Sequence, residues 1–319
     1  MKNGKRYSQI FLNRFGKNKL AVISLVFVLL LAFVAIAAPF IANDRPLILK
    51  YKNEWYFPVL KMNPHLMDAD LSGSFAIYPP VPFRPSSYDL DSILEPPSLK
   101  HILGTDGNGR DIASQIIWGA RISLSVGVVA VGLAVIIGII FGALAGFYGG
   151  ITDIVISRLI EVMICFPTFF LILAALAFVG PSIYNIMIVI GITGWTGIAR
   201  LVRGECLKLR KREFVTAAVV AGASNRRIIL KHLVPAAMAP VMVSASFGVA
   251  GAILVESSLS FLGFGVPLST PSWGGLLSQA QQYMDIAWWL TLVPGSAIFV
   301  TITAYNLLGE GIREAIDPI

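Results

Sequence analysis

Glu213-Phe-Val-Thr-Ala-Ala-Val-Val-Ala-Gly-Ala-Ser-Asn-Arg-Arg-Ile-Ile-Leu-Lys-His-Leu-Val-Pro235 is a basic, helix-forming segment set between runs that belong in lipid. A charged stretch between two membrane spans must lie in water, and its Lys/Arg excess points to the cytoplasm. Glu213–Ala221 is rich in helix formers and is followed by Gly222, which suits a left-handed C-terminal cap. Ser224 is placed to cap a second helix running to Leu233, with Pro235 marking the start of the next span. The prediction is therefore two short helices and a tight elbow. Thr216, Ala217, Ala218, Ala221 and Ala223 keep that elbow slim, and Arg226 and Arg227 flank it. A small, rigid, alanine-lined knuckle is suited to sit in a cleft of another protein.

The flanking composition defines the solvent. The chain is 56% hydrophobic and only 13% charged, with a mean hydropathy of +0.75, which is abnormal for a soluble domain. About 20 apolar residues suffice for one crossing. Charge-free runs of that order occur at Leu20–Ile41, Ile122–Gly150, Leu233–Val255 and Ile286–Gly309. A further run, Val162–Ala199, is too long for one helix and divides at Gly180-Pro181-Ser182. Six transmembrane helices, each satisfying its own backbone, are the reading. The first run is longer than a leader's apolar region, so it is read as a retained span.

Basic residues set the orientation. The segment 1–19 carries Lys2, Lys5, Arg6, Arg14, Lys17 and Lys19, and 200–232 carries nine more. An even number of spans separates these regions, so both face the cytoplasm, as does the C-terminus. Residues 43–111 balance seven basic against nine acidic residues and belong outside. The net charge of +7 is thus a topology signal. No aromatic or groove-reading pattern accompanies it, so no nucleic-acid partner is expected. The domains follow: a cytoplasmic amphipathic tail (1–19), a first span (20–42), an extracytoplasmic insert (43–111), and a five-helix core (112–319) with its loop at 205–235.

The tail alternates basic and apolar positions at helical spacing over 5–16, which suits the inner membrane surface. Nine of the chain's 18 prolines fall in 43–100, which excludes long helices there. Leu47–Tyr51 and Trp55–Leu60, joined by Lys52-Asn53-Glu54, read as a hairpin. In 101–111, Asp106 and Asn108 superficially fit a calcium loop, but Ile117 stands where the bidentate glutamate is needed. Asp106 and Asp111 are instead expected to cap the helix that follows. Asp153 should sit at a positive helix end, with Arg158 and Glu161 paired beyond it. Pro267–Trp288 reads as an outer loop with a short amphipathic helix and interfacial aromatics at Trp273, Tyr283, Trp288 and Trp289. Glu256, near the bilayer interior, must be hydrogen-bonded or face a watery cavity, where it and Ser257 would line a translocation route. Neither Cys165 nor Cys206 is placed for a disulfide.

From Phe15 to Pro318 the chain resembles inner-membrane permease subunits of the dipeptide, oligopeptide and nickel group of ATP-binding-cassette importers. The matching strings include Phe15-Gly-Lys-Asn-Lys-Leu-Ala21, Gly104-Thr-Asp, Gly109-Arg-Asp, Gly119-Ala-Arg-Ile-Ser123, Ser258-Leu-Ser-Phe-Leu-Gly263, Pro271-Ser-Trp-Gly274 and Asn306-Leu-Leu-Gly309. The segment 213–235 resembles that family's cytoplasmic coupling loop. Thr216 stands where the family usually has a glutamate, and the long insert resembles the branch that handles longer peptides. The resemblance implies the all-α fold of type I importer permeases. It also implies a second homologous permease, two ATPase subunits carrying ATP and Mg, and an extracytoplasmic substrate-binding protein.

This chain carries no Gly-x-x-x-x-Gly-Lys-[Ser/Thr] string, since Gly16-Lys17 is followed by Asn18. No catalytic residue, cofactor or metal is expected on it. Its expected role is half of a peptide path, coupled to partner ATPases through 213–235. Nickel or another small solute is an alternative cargo for the same architecture. A secondary transporter would need ionisable residues at mid-membrane or a repeated arrangement, and the central spans offer neither.

Overall fold

The computed structural model describes residues 2–51, 53–61, 75–267 and 269–316. Lys52, Pro64, His65 and Pro318 lie outside them. In chain order come α1 (Lys2–Lys17), α2 (Lys19–Ile41), β1 (Ile48–Tyr51), β2 (Glu54–Tyr56), β3 (Phe75–Ile77), α3 (Ile112–Tyr148), α4 (Gly150–Cys165) and α5 (Thr168–Val179). Then follow α6 (Ile183–Leu209), α7 (Glu213–Val220), α8 (Asn225–Ile228), α9 (Val234–Phe261), α10 (Trp273–Ala280) and α11 (Trp288–Ile316). Among the described residues α2, α3, α6, the unbroken helix Asn225–Phe261 and α11 are each long and apolar enough to cross a membrane. The third expected span is different. It is a pair, α4 and α5, bent by 84°. The cause is Pro167, which forces Phe166 into extended backbone (φ −97°, ψ 133°) and cannot continue a helix.

The chain forms two compact units. One comprises residues 1–28, 125–256 and 300–319, and the other 29–124 and 257–299.

In the first unit the close contact is between α3 and α6. Gly138, Gly142 and Gly146 recur every four residues along one stripe of α3. A methyl group on Gly142 would lie 2.5 Å from the Ala199 carbonyl oxygen, and one on Gly146 would lie 2.5 Å from Cys206 Cβ. Only hydrogen at these positions lets the α6 backbone approach so near, the usual device where lipid removes the hydrophobic drive between helices. Trp195, Ile198, Ala199, Val202 and Cys206 of α6 are buried in the cluster built on this contact, and the Trp195 ring lies 5.0 Å from Phe141. The tail helix α1 was expected on the membrane surface. Its apolar stripe also has a protein partner, because Phe15 is buried with Ala21 and Ala315, and Asn18 Nδ2 donates to Glu314 Oε2 at 2.7 Å.

The second unit contains the insert. Its sheet has the order β2-β1-β3, with Leu49 opposite both Tyr56 and Ala76. The expected hairpin is present, with Asn53 at φ 66° in its turn, but β2 ends at Tyr56, shortly before Pro58, which has no N–H to donate to a ladder. The third strand is an addition that no sequence signal announced.

Ahead of α3, Asp106 has a different job from the one predicted. Its carboxylate accepts from the backbone nitrogens of Asn108 and Arg110 (both 2.9 Å), from Arg110 Nε at 2.8 Å and from Gln115 Nε2 at 3.0 Å. It holds the turn, and Asp111 alone caps α3 by accepting from Ser114 N at 2.7 Å. Two of the expected interfacial tryptophans are buried struts. Trp273 Nε1 donates to the Ile116 carbonyl and Trp289 Nε1 to the Thr105 carbonyl, both at 3.0 Å. Outside the spans, the Lys100 ammonium and the Ser92 hydroxyl hold the Asp89 carboxyl below its ordinary range.

Thermal unfolding of variants in detergent tests these contacts. Gly142→Ala should destabilise by ~1–3 kcal/mol, as overpacking against backbone does. Gly132→Ala, which has nothing within 4 Å, should be neutral or stabilising by up to about 1 kcal/mol. Equal effects would remove the glycine stripe as the determinant of α3–α6 packing. Asp106→Ala leaves the buried Arg110 guanidinium without its carboxylate and should cost about 3–5 kcal/mol. Asp106→Ala combined with Arg110→Met should recover much of that loss.

Candidate functional site

The elbow starts where α6 runs out. Arg212 is extended (φ −80°, ψ 147°), and its carbonyl accepts from Val215 N and Thr216 N to open α7. The helix has eight residues and is followed by Ala221 as its C-terminal cap. Gly222 has φ 76°, its N–H bonds to the Val219 carbonyl at 2.9 Å, and Ala223 N bonds to the Ala218 carbonyl at 3.0 Å. These two bonds form a Schellman motif, for which the glycine's left-handed backbone is required.

One face of the elbow is anchored. Val215, Ile228, Ile229 and Leu233 are buried, and Ala218 and Ala223 pack against the same cluster. The opposite face is bare. Thr216, Ala217, Ala221, Gly222, Ser224, Arg226, Arg227 and Pro235 are all exposed. Thr216, Ala217, Ala221 and Val220, with Lys211 and Glu213, line a shallow open depression. Val220 is 83% exposed, more than any other large apolar side chain of the elbow. Sequence reasoning passed it over in favour of the alanines. The signal was available, because Val219-Val220 continues a run whose inward position, Val215, lies a turn earlier.

Two other expectations need correction. Ser224 precedes α8 in extended backbone but makes no side-chain cap; its carbonyl serves instead, accepting from Ile228 N at 3.0 Å. Pro235 does not start a separate span. Ile229–Leu233 is a π-helical turn, and the helix continues through it from Asn225 to Phe261. The wider turn accommodates the pyrrolidine ring and its missing donor, which an uninterrupted α-helix would not.

The base of the elbow is clamped by arginines that the sequence placed only as topology markers. Arg203 of α6 grips Asp153 of α4 through Nε to Oδ1, and through Nη2 to Oδ2 at 2.7 Å. Such a fork-to-fork pair fixes orientation as well as distance. Arg210 Nη1 reaches the Phe147 carbonyl at 3.3 Å, at the negative end of α3. The predicted Arg158–Glu161 pair is present at 2.5 Å but exposed.

In the same unit a cavity of about 230 Å³ opens between α3, α5, α6 and α9. Its walls include Ala130 and Ala134, Thr168 and Ile172, Thr193 and Gly197, and Ser244, Gly248, Gly251 and Val255. No lining residue is charged. Thr193 Oγ1 already donates to the Val189 carbonyl at 2.8 Å. The α9 wall stops one residue short of Glu256, and both Glu256 and Ser257 are buried. Glu256 is therefore packed inside protein, and the residues that face the open space are its small neighbours.

Comparison with known proteins bears on the whole arrangement. Residues 134–318 match the family model described as "Binding-protein-dependent transport system inner membrane component", and residues 6–57 match the N-terminal transmembrane domain of oligopeptide transport permease C. The dipeptide transport system permease protein DppC of Alkalihalophilus pseudofirmus is 42% identical over 70% of this chain and 74% of its own length. The oligopeptide transport system permease protein OppC of Haemophilus influenzae is 41% identical over 74% and 77%. The di/tripeptide transport system permease protein DppC of Pseudomonas aeruginosa is 34% identical over 97% and 91%. A chain of the MetNI methionine ABC transporter, solved in inward-facing conformations, shares the fold with a TM-score of 0.51 at 16% identity, over 64% of this chain and 97% of that one. With its apolar spans, its elbow and a match over more than half its length, this chain belongs to the multi-pass inner membrane permeases of binding-protein-dependent transport systems.

Proposed function

We propose that this chain is one of two permease subunits in an ATP-driven importer of peptides, with ATP and Mg held by two partner ATPases. A substrate-binding protein outside the cytoplasmic membrane delivers the cargo. The elbow and both termini face the cytoplasm, in accord with the basic residues at 1–19 and 200–232.

One observation carries this reading. A single helix, Asn225–Phe261, runs from the elbow to the wall of the cavity, where it contributes Ser244, Gly248, Gly251 and Val255. A push on the bare face of Ala217, Val220 and Ala221 is delivered along this continuous helix to the open space it shares with α3, α5 and α6. The Arg203–Asp153 clamp makes the elbow move with α4 and α6, so the push is not lost in a loop. ATP then shifts the populations of two states, provided the ATPases contact this face differently in each. The uncharged cavity wall suits cargo of varied side-chain charge, and peptide transport is in the names of the curated relatives quoted above.

Two experiments check this. The tagged chain, solubilised in mild detergent, should bring down an ATPase pair and a second permease. Reconstituted with the binding protein, the complex should accumulate short peptides only when ATP is supplied. Uptake by the chain alone, or uptake of nickel in place of peptide, would overturn the assignment. At the elbow, Gly222→Val forces a β-branched residue to positive φ and should cost roughly 1–2 kcal/mol locally. It should reduce ATPase capture and uptake together, whereas Gly222→Asn, which tolerates that backbone, should keep both near wild type. Equal behaviour of the two variants would mean that the cap geometry is not what the ATPases read.

A further inference from the structure

The three-stranded sheet of the insert has two unlike faces. Register places Lys50 opposite Trp55 on one side and opposite Phe75 on the other, so these three side chains share a face. Ile48 and Ile77, also opposite each other, belong to that face as well. The Trp55 and Phe75 rings meet edge to face at 6.4 Å, with the Lys50 ammonium 5.5 Å from the Trp55 ring. Both aromatic residues are more than half exposed, at 57% and 56%, and Ile77 is exposed too. The other face is conventional. It buries Leu49 completely, and its acid, Glu54, accepts from the Tyr56 hydroxyl at 2.7 Å.

Among the described residues this is a bare face of tryptophan, phenylalanine and isoleucine around Lys50, with Glu54 turned away, the composition of a surface that meets lipid headgroups. Tethering places it there. Val81 N bonds to the carbonyl of Ile41, the last residue of α2, and Asn43 N bonds back to the Val81 carbonyl, at 3.0 and 3.1 Å. Ile77 lies four residues before Val81, a reach of at most about 14 Å. Leu47 N bonds to the Ile77 carbonyl at 2.7 Å, so β1 and β3 are held at the same point. Within this unit α2 itself exposes Leu29, Leu30, Phe33, Ile36 and Phe40, the surface a spanning helix presents to acyl chains. The exposed sheet face thus begins where a lipid-facing helix ends.

We propose that the Trp55–Lys50–Phe75 face is a membrane-interface anchor. It rests on the bilayer surface where α2 emerges, its rings at headgroup depth and Lys50 toward the lipid phosphates. The anchor would hold the insert down against the bilayer and set the height of the loops that follow it.

The full chain, assembled in its complex, would be placed in bilayers of phosphatidylethanolamine and phosphatidylglycerol. The bilayers carry bromine either near the headgroup end or near the methyl end of the acyl chains. Subtracting the emission of Trp55→Phe from that of wild type isolates the Trp55 signal. Headgroup-end bromine should remove roughly half of that signal, as expected for a ring at the interface, and methyl-end bromine clearly less. Strong quenching by acrylamide in water, with no response to either lipid, would show a solvated face and overturn the anchor. Shielding from both quenchers would show that protein covers the face, and would overturn it equally.

Discussion

The distance between α3 and α6 is the constraint on which the first unit depends. Gly138, Gly142 and Gly146 remove every side-chain atom from one stripe of α3, and the backbone of α6 occupies the space. In lipid there is little hydrophobic gain from burying one apolar helix against another, so close van der Waals contact must supply the cohesion. That contact fixes α6, and α6 fixes the rest. It carries Arg203 to Asp153 and Arg210 to the end of α3, and it ends where the elbow begins.

The same packing backs the elbow. The elbow is anchored on Val215, Ile228, Ile229 and Leu233 and bare on Thr216, Ala217, Val220 and Ala221. On the proposed function, this firmly backed surface with a small apolar patch on its free side is the one that meets the partner ATPases. The π-helical turn at Ile229–Leu233 allows Pro235 to sit inside a continuous helix instead of ending one. Without it the elbow and the cavity wall would be separate elements.

The second unit is held by polar contacts of another kind. Asp106 accepts three hydrogen bonds within its turn and a fourth from Gln115 of α3, and two tryptophan N–H groups tie backbone carbonyls to α10 and α11. Such groups are buried only because each has a partner, and losing one partner strands the other. The arrangement makes the turn before α3 rigid despite the proline-rich chain that precedes it.

The sequence by itself determined the solvent, most spans and the elbow. Those readings rest on local physics: apolar run length against bilayer thickness, and a glycine where only positive φ closes the cap. The family resemblance was legible too, because it rests on strings of adjacent residues such as Ser258–Gly263. Tertiary structure decided what depends on distant partners. The break at Phe166-Pro167 was hidden inside a charge-free run, and β3 is a strand only because β1 offers it an edge. Asp106 reads as a cap in sequence, whereas Arg110 and Gln115 surround it in the fold, and of the two settings the sequence leaves open for Glu256, hydrogen-bonded or facing a cavity, the fold gives it a buried one. Carboxylates and tryptophans carry hydrogen-bonding demands that can be met from anywhere in the chain. Sequence shows the demand, and only the fold shows which group meets it.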